Sequence, residues 1–189
     1  MHEEELKQSG SLLSYIELIE LIENGVIDAP IEHVNGSSID LTMHHIVRTE
    51  VYGPAMRKVH LARGESIDTK EIDITDDKLV MLPHTVALAS TNEKFNMPLW
   101  LSAEFSLKST MGRNFLGHEL AGWVDPGFIG MLTLELVNNT GFHKLVLEPG
   151  MKIGQVKFFK HLAVPEENSY RKRGQYQHQN KVIPAGKLR

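Results

Sequence analysis

The chain has 189 residues, 41% of them hydrophobic and 23% charged, which suits one globular domain with extended ends. No apolar run reaches the roughly 20 residues that span a bilayer, the acidic opening MHEEELKQSG is not a secretory signal, and a net charge of −4 argues against nucleic acid as a partner. Cysteine is absent, which excludes disulfides, thiol catalysis and cysteine-ligated zinc together and leaves the cytoplasm as the expected location.

Residues 1–10 read as a polar extension. LLSYIELIELIENGVI has apolar residues at helical spacing, with Ser11 or Ser14 as cap and Asn24-Gly25 as the stop. It is the one helix of any length that the pattern predicts. SSIDLTMHHIVRTEVYG alternates and reads as a strand, as does MPLWLSAEFSL; EIDITDDKLVMLPHTVALAST reads as strand, turn, strand with a break at Pro83-His84. KSTMGRNFLGHELAG is mixed, a short helical turn followed by loop. MLTLELVN, HKLVLEPG and MKIGQVKFF follow as strands, with Pro-Gly turns in DPGF and EPGM. Short strands separated by regular turns indicate an all-β barrel or sandwich in a single domain, 1–189. From about residue 165 the chain is a polar arm, and from Asn168 to Arg189 it carries six Lys/Arg and no acid. Such a tail is either a solvated end or a binder of anions.

Three groups of residues carry possible chemistry. Ten histidines invite a metal, but His44 and His45 are neighbours that a strand points to opposite faces, and His118-Glu119 lacks the second histidine of a zinc helix motif. In SLKSTMGR, Lys108, Ser109, Thr110, Gly112 and Arg113 supply the cations, hydroxyls and close backbone approach that phosphate oxygens need; the plain alternative is an exposed helix start capped by Ser109. In MLTLELV, alternation puts Leu132, Leu134 and Leu136 on a core face and Met131, Thr133, Glu135 and Val137 on the other. One glutamate among Met, Thr and Val points to a partly buried carboxylate, and carboxylates so placed can shuttle protons near neutrality. Asp125 opens the DPGF turn, where Asp commonly caps its own turn.

KSTMGR, LAGWVDPGF and LTLELVN, in this order and separation, resemble the motifs of the dCTP deaminase and trimeric dUTPase superfamily, and GSSIDLTM, EPGMKIGQ and the YQHQ of the tail are similar as well. The resemblance covers about residues 12 to 180. It implies a mainly β fold: a distorted β-barrel of dUTPase-like, jelly-roll-related form, with a short N-terminal helix and a C-terminal arm (about 165–189) that closes over the nucleotide. It implies a homotrimer with sites between subunits and zinc-free deamination of dCTP at cytosine C4, with Mg²⁺ riding on the triphosphate. Glu135 matches the catalytic carboxylate; Ser109 and the Ala121 carbonyl match the groups that orient water, and Arg113 the arginine that balances Glu135. Lys108, Ser109 and Thr110, within the segment that continues through Met111 and Gly112, match phosphate contacts. Asp125 matches the residue facing the deoxyribose, Thr133 and Leu134 the backbone contacts to the base, and Gln155, Tyr170 and Gln179 further nucleotide contacts.

Gly122-Trp123 resembles the members of this superfamily that carry on from dUTP to dUMP and pyrophosphate, with Asp125 as base for that second step; dUTP and dUMP both stay open as the product. The chain departs from the pattern at Leu120, where threonine is expected, in a loop one residue shorter than usual, and at Gln175, which takes the place of a phosphate-binding lysine that Arg171, Lys172 or Arg173 would have to replace. Two other readings fit the same residues: a pyrophosphatase acting on dUTP alone, and a catalytically silent nucleotide-binding regulatory barrel.

Overall fold

The computed structural model describes residues 11–119 and 122–186. Its twelve strands are β1 (Ser11–Leu12), β2 (Ile39–Thr42), β3 (Ile46–Glu50), β4 (Thr69–Asp73), β5 (Leu79–Met81), β6 (Val86–Asn96), β7 (Leu101–Leu107), β8 (Leu116–His118), β9 (Trp123–Val124), β10 (Ile129–Asn138), β11 (Leu145–Leu147) and β12 (Lys152–Lys160). Three short α-helices accompany them: α1 (Tyr15–Glu23), α2 (Ser109–Arg113) and α3 (Tyr170–Arg173).

Helix α1 forms where the sequence predicts it. Ser14 is its N-cap, and the Glu17 carboxylate reaches back to accept from Ser14 N at 2.9 Å, satisfying a donor that the first turn leaves without a helical partner. Asn24 ends the helix and Gly25 turns away at φ 69°. Leu18 and Leu21 are its buried positions.

One antiparallel sheet runs β1-β12-β7-β9, with β2 also paired to β12; a second runs β4-β3-β6-β10-β8; β5 and β11 form a two-stranded ribbon. The two large sheets remain separate, so the mainly β fold is a distorted barrel that does not close. One core draws on both: Leu41, Ala103, Val156 and Phe158 from the first, Val47, Ala89, Leu134 and Leu136 from the second, and Leu18 from α1. At zero exposure, Leu134 and Leu136 each contribute about 1.5–3 kcal/mol by leaving water.

The structure corrects three expectations. SSIDLTMHHIVRTEVYG is two strands, because the chain changes sheets at Met43: its N–H bonds Met151 O at 3.0 Å beside the first sheet, while the residue bridges Thr91 of β6 in the second. His44 and His45 lie in this crossing, so they do not point to opposite faces; their ring centroids are 4.0 Å apart. The segment after α2 is not all loop. Leu116–His118 adds β8 to the edge of β10, and Gly117 is required there, since a Cβ would meet Asn139 Nδ2 at 2.5 Å and Val137 Cγ1 at 2.6 Å.

Candidate active site

Strand β10 builds the carboxylate side of the site. A β-bulge between Met131 and Thr133 breaks its alternation, leaving Met131 and Leu132 both buried and both on a cavity wall. Beyond the bulge alternation resumes, and Leu134 and Leu136 go to the core while Glu135 faces out, opposite Leu88 of β6. The Glu135 side chain is 27% exposed, and its Oε2 lies 3.2 Å from Nε2 of His118, whose side chain is 5% exposed. The two atoms touch without hydrogen-bond alignment, and both are buried without another partner among the described residues. The Phe105 ring packs against the His118 imidazole at a centroid distance of 4.9 Å. The carboxylate thus has one oxygen pressed on an imidazole, and a bound ligand or water would complete its polar contacts.

Glu135 lines a cavity of about 300 Å³ together with Trp123, Asp125, Thr133, Tyr170 and Gln179. Asp125 does not cap its turn with its side chain: the backbone carbonyl accepts from Phe128 N at 3.1 Å, with Gly127 at φ 85°. The carboxylate is therefore left to the cavity, with no hydrogen bond among the described residues. Tyr170 stacks edge-on against Phe128, and burial, reinforced by the nearby Asp125 charge, raises its phenol pKa. Trp123, more than half exposed, stacks on Phe159. Its neighbour Gly122 has no space for a side chain, because a Cβ would lie 2.8 Å from the Phe105 carbonyl.

The C-terminal arm closes one side of this cavity. Gln179 N–H and C=O run alongside Gly130 in a parallel bridge, and Gln179 O accepts from Met131 N at 2.9 Å. Gln177 accepts from Ile129 N and donates to Gly127 O. Thr133 Oγ1 donates to Gln179 Oε1 at 3.1 Å. Tyr176 and Ala185, with Leu88, separate the cavity from a neighbouring one of about 510 Å³. Strand β8 pairs with Leu136–Asn138, and the edge of β10 ahead of it has no strand partner among the described residues. Met131 N and Glu135 O bond outward on that edge, and alternation turns the backbone groups of Thr133 the same way. Leu134 is buried and turns its backbone toward β6.

A second cluster lies at α2. Its N-cap is Lys108 rather than Ser109, with no side-chain capping bond. Ser109, Thr110, Gly112 and Arg113 are exposed, and Met111 tucks against the core. Lys108 Nζ bonds Asp40 Oδ1 at 2.5 Å, Lys152 Nζ lies 3.2 Å from Asp40 Oδ2, and Asn35 donates to the same carboxylate. Burial works to raise the Asp40 pKa, but these three donors outweigh it and hold the group below its ordinary value. Gln155, paired with Asp40 in register, accepts from Ser38 Oγ at 3.2 Å.

The sequence-predicted residues therefore fall in two places. Asp125, Thr133, Glu135, Tyr170 and Gln179 share the cavity with Trp123. Lys108, Ser109, Thr110, Arg113 and Gln155 line no part of it. Gln175 is exposed, its side chain against Gly186. Ala121 and Leu120 lie outside the described residues, as do residues 1–10. His118 is the residue that sequence reasoning weighed only as a metal ligand and set aside; its contact with Glu135 had no local signal. Among the described residues no three His, Asp or Glu converge as metal ligands, and no helix is long and apolar enough to cross a membrane.

Two unclosed antiparallel sheets, a cavity walled by a C-terminal arm and holding two carboxylates, and a separate cationic cluster define a distorted β-barrel suited to a small anionic ligand. A family model described as dCTP deaminase-like matches residues 12–161, and the chain belongs to that family. A protein of Beutenbergia cavernae named dCTP deaminase, dUMP-forming is 36% identical over 144 residues, 72% of this chain and 71% of that protein. One of the same name from Dictyoglomus turgidum is 34% identical over 166 residues, 86% and 84% of the two chains. Among solved structures, the 2'-deoxycytidine 5'-triphosphate deaminase of Agrobacterium tumefaciens shares the fold with a TM-score of 0.62 at 20% identity, over 80% of this chain and 49% of that one.

Proposed function

We propose that the protein is a dCTP deaminase of the dUMP-forming type, with water, ammonia and pyrophosphate as the other reactants and products. The observation that carries this reading is Glu135, held against His118 in a cavity that also presents an uncommitted Asp125. Water adds to cytosine C4 while Glu135 takes its proton and passes it to N3. A second proton from the added hydroxyl goes to the amino group, which leaves as ammonia as the C4 carbonyl forms. His118 fixes the carboxylate, and Thr133 and Gln179 offer the base its polar contacts. Asp125 faces the sugar and serves as base for a second water that attacks the α-phosphorus and expels pyrophosphate. Gly122-Trp123 and the names of the relatives support that second step.

Within one chain the groups assigned to the phosphates and to water, Lys108, Ser109, Thr110, Arg113 and Gln155, stand apart from Glu135. A homotrimer with sites between subunits would join the cluster of one subunit to the cavity of the next, with the Ala121 carbonyl completing the water site. The arm of residues 165–189 then closes the site against water. Mg²⁺ enters on the triphosphate oxygens as part of the substrate, the usual way that ion is carried. The reaction belongs in the cytoplasm, with the nucleotide pool.

The test is product analysis by anion-exchange chromatography after incubation with dCTP and Mg²⁺, and separately with dUTP. Ammonia and dUMP from dCTP are expected. Accumulation of dUTP would remove the second step and confine Asp125 to the sugar. Conversion of dUTP alone would make the protein a pyrophosphatase, and no change in either nucleotide would leave a silent regulatory barrel.

A further inference from the structure

We infer that Lys152 is a further phosphate-binding residue, and that the buried Asp40 is a positioning residue holding Lys152 and Lys108 as a matched pair toward the triphosphate; this rests on the reading above. Asp40 has a side chain only 6% exposed, and its two oxygens are each taken by a different lysine, Oδ1 by Lys108 and Oδ2 by Lys152. One lysine would neutralise one buried carboxylate. Two leave a surplus positive charge, on a chain whose net charge is −4.

Both ammonium groups reach the surface, with side chains 31% and 43% exposed. Each has three donors and spends one on Asp40, so each keeps donors for a ligand. The two oxygens of one carboxylate space the ammonium groups as neighbours, which suits adjacent phosphates of one chain. The surroundings continue the pattern. Ser109 and Thr110 follow Lys108 with exposed hydroxyls, and Gln155 pairs with Asp40 across β2 and β12. Lys152 sits at the start of β12, where a bulge between Lys152 and Gly154 shifts the register against β2. Asn35 fixes the carboxylate from a third side. Without Asp40, two like charges would repel and spread; with it they are preset at a fixed separation before any ligand arrives. This pair also accounts for the tail position that holds Gln175 in place of a lysine: the cation is supplied from the barrel.

The experiment measures dCTP turnover together with competitive inhibition by inorganic tripolyphosphate in the full-length protein. Lys152→Ala is expected to raise KM for dCTP and Ki for tripolyphosphate by the same factor, about ten- to a hundred-fold, the range of a charge-assisted hydrogen bond. kcat should fall less than threefold, and Lys152→Arg should recover most of the loss. Asp40→Asn should raise both constants while leaving kcat within the same limit. If that variant fails to fold, the Lys152 pair decides alone. Turnover of dCTP with KM and Ki unmoved in Lys152→Ala overturns the inference while the proposed activity stands. Lys152-dependent tripolyphosphate binding without turnover of dCTP or dUTP supports the inference and removes the activity.

Discussion

The carboxylate side and the cationic side of the site are built on different principles. Around Glu135, backbone bonds fix the geometry: the bulge in β10, the type II turn at Asp125 and the arm bridged to Gly130 hold the cavity wall, and the working side chains are left with few partners. Around Lys108, side chains fix one another through a single buried carboxylate. The first arrangement leaves a carboxylate short of contacts; the second holds two cations against one buried carboxylate. The difference predicts that changes near Glu135 act on chemistry and changes near Asp40 on affinity.

The largest effects are expected from Glu135→Gln and Asp125→Asn. Glu135→Gln should cost at least about a thousand-fold in ammonia release, within the range of lost general acid–base catalysis, while dCTP still quenches or enhances Trp123 fluorescence. Asp125→Asn should instead lower dUMP formation far more than ammonia release. Ammonia release lost together with dUMP in Asp125→Asn, or dUTP hydrolysis lost together with deamination in Glu135→Gln, would show that the two carboxylates do not divide the work.

A smaller effect is expected at the arm. Gly130 adopts φ 133°, and a Cβ there would lie 2.7 Å from Gln179 N and 2.9 Å from Gln179 O. Gly130→Ala should therefore release the arm rather than unfold β10, at about 1–3 kcal/mol of local stability. Limited proteolysis would then cut after residue 165 before the barrel, and KM for dCTP should rise about tenfold. An arm that stays protected would show that side-chain contacts, not the Gly130 bridge, hold it.

The smallest effect is acid sensitivity. The folded Asp40 pKa lies below its ordinary 3.8, so its contribution to stability is complete above that value and drains away as pH falls through the folded one. Asp40→Asn should narrow the stability lost in thermal melts as pH falls below about 4, with little change in that loss expected from substitutions of the exposed Arg113.

How far the sequence alone reached follows from the length and locality of each signal. Helix α1 was legible because a cap serine, Ser11 or Ser14, and Asn24-Gly25 bracket one run of apolar residues at helical spacing. Glu135 was legible because β10 is long enough for alternation to show. The crossing at Met43 was not, since Ile39 to Glu50 alternates apart from a break at His44 to Val47, and only tertiary pairing with Met151 and Thr91 divides it. β8 was too short for any periodicity, and with it went His118, whose contact with Glu135 depends on a pairing that no local pattern records. The division of the site into two clusters was equally invisible, because motif order along the chain says nothing about which wall a residue joins.

Gly122 shows how a position can be fixed by space rather than by a functional group. Its carbonyl accepts from Phe105 N at 2.8 Å, and a Cβ would stand 2.8 Å from the Phe105 carbonyl. A side chain at this place cannot arrive by one substitution without pushing β7 aside. The position is therefore closed to stepwise drift from this sequence: β7 has to move first.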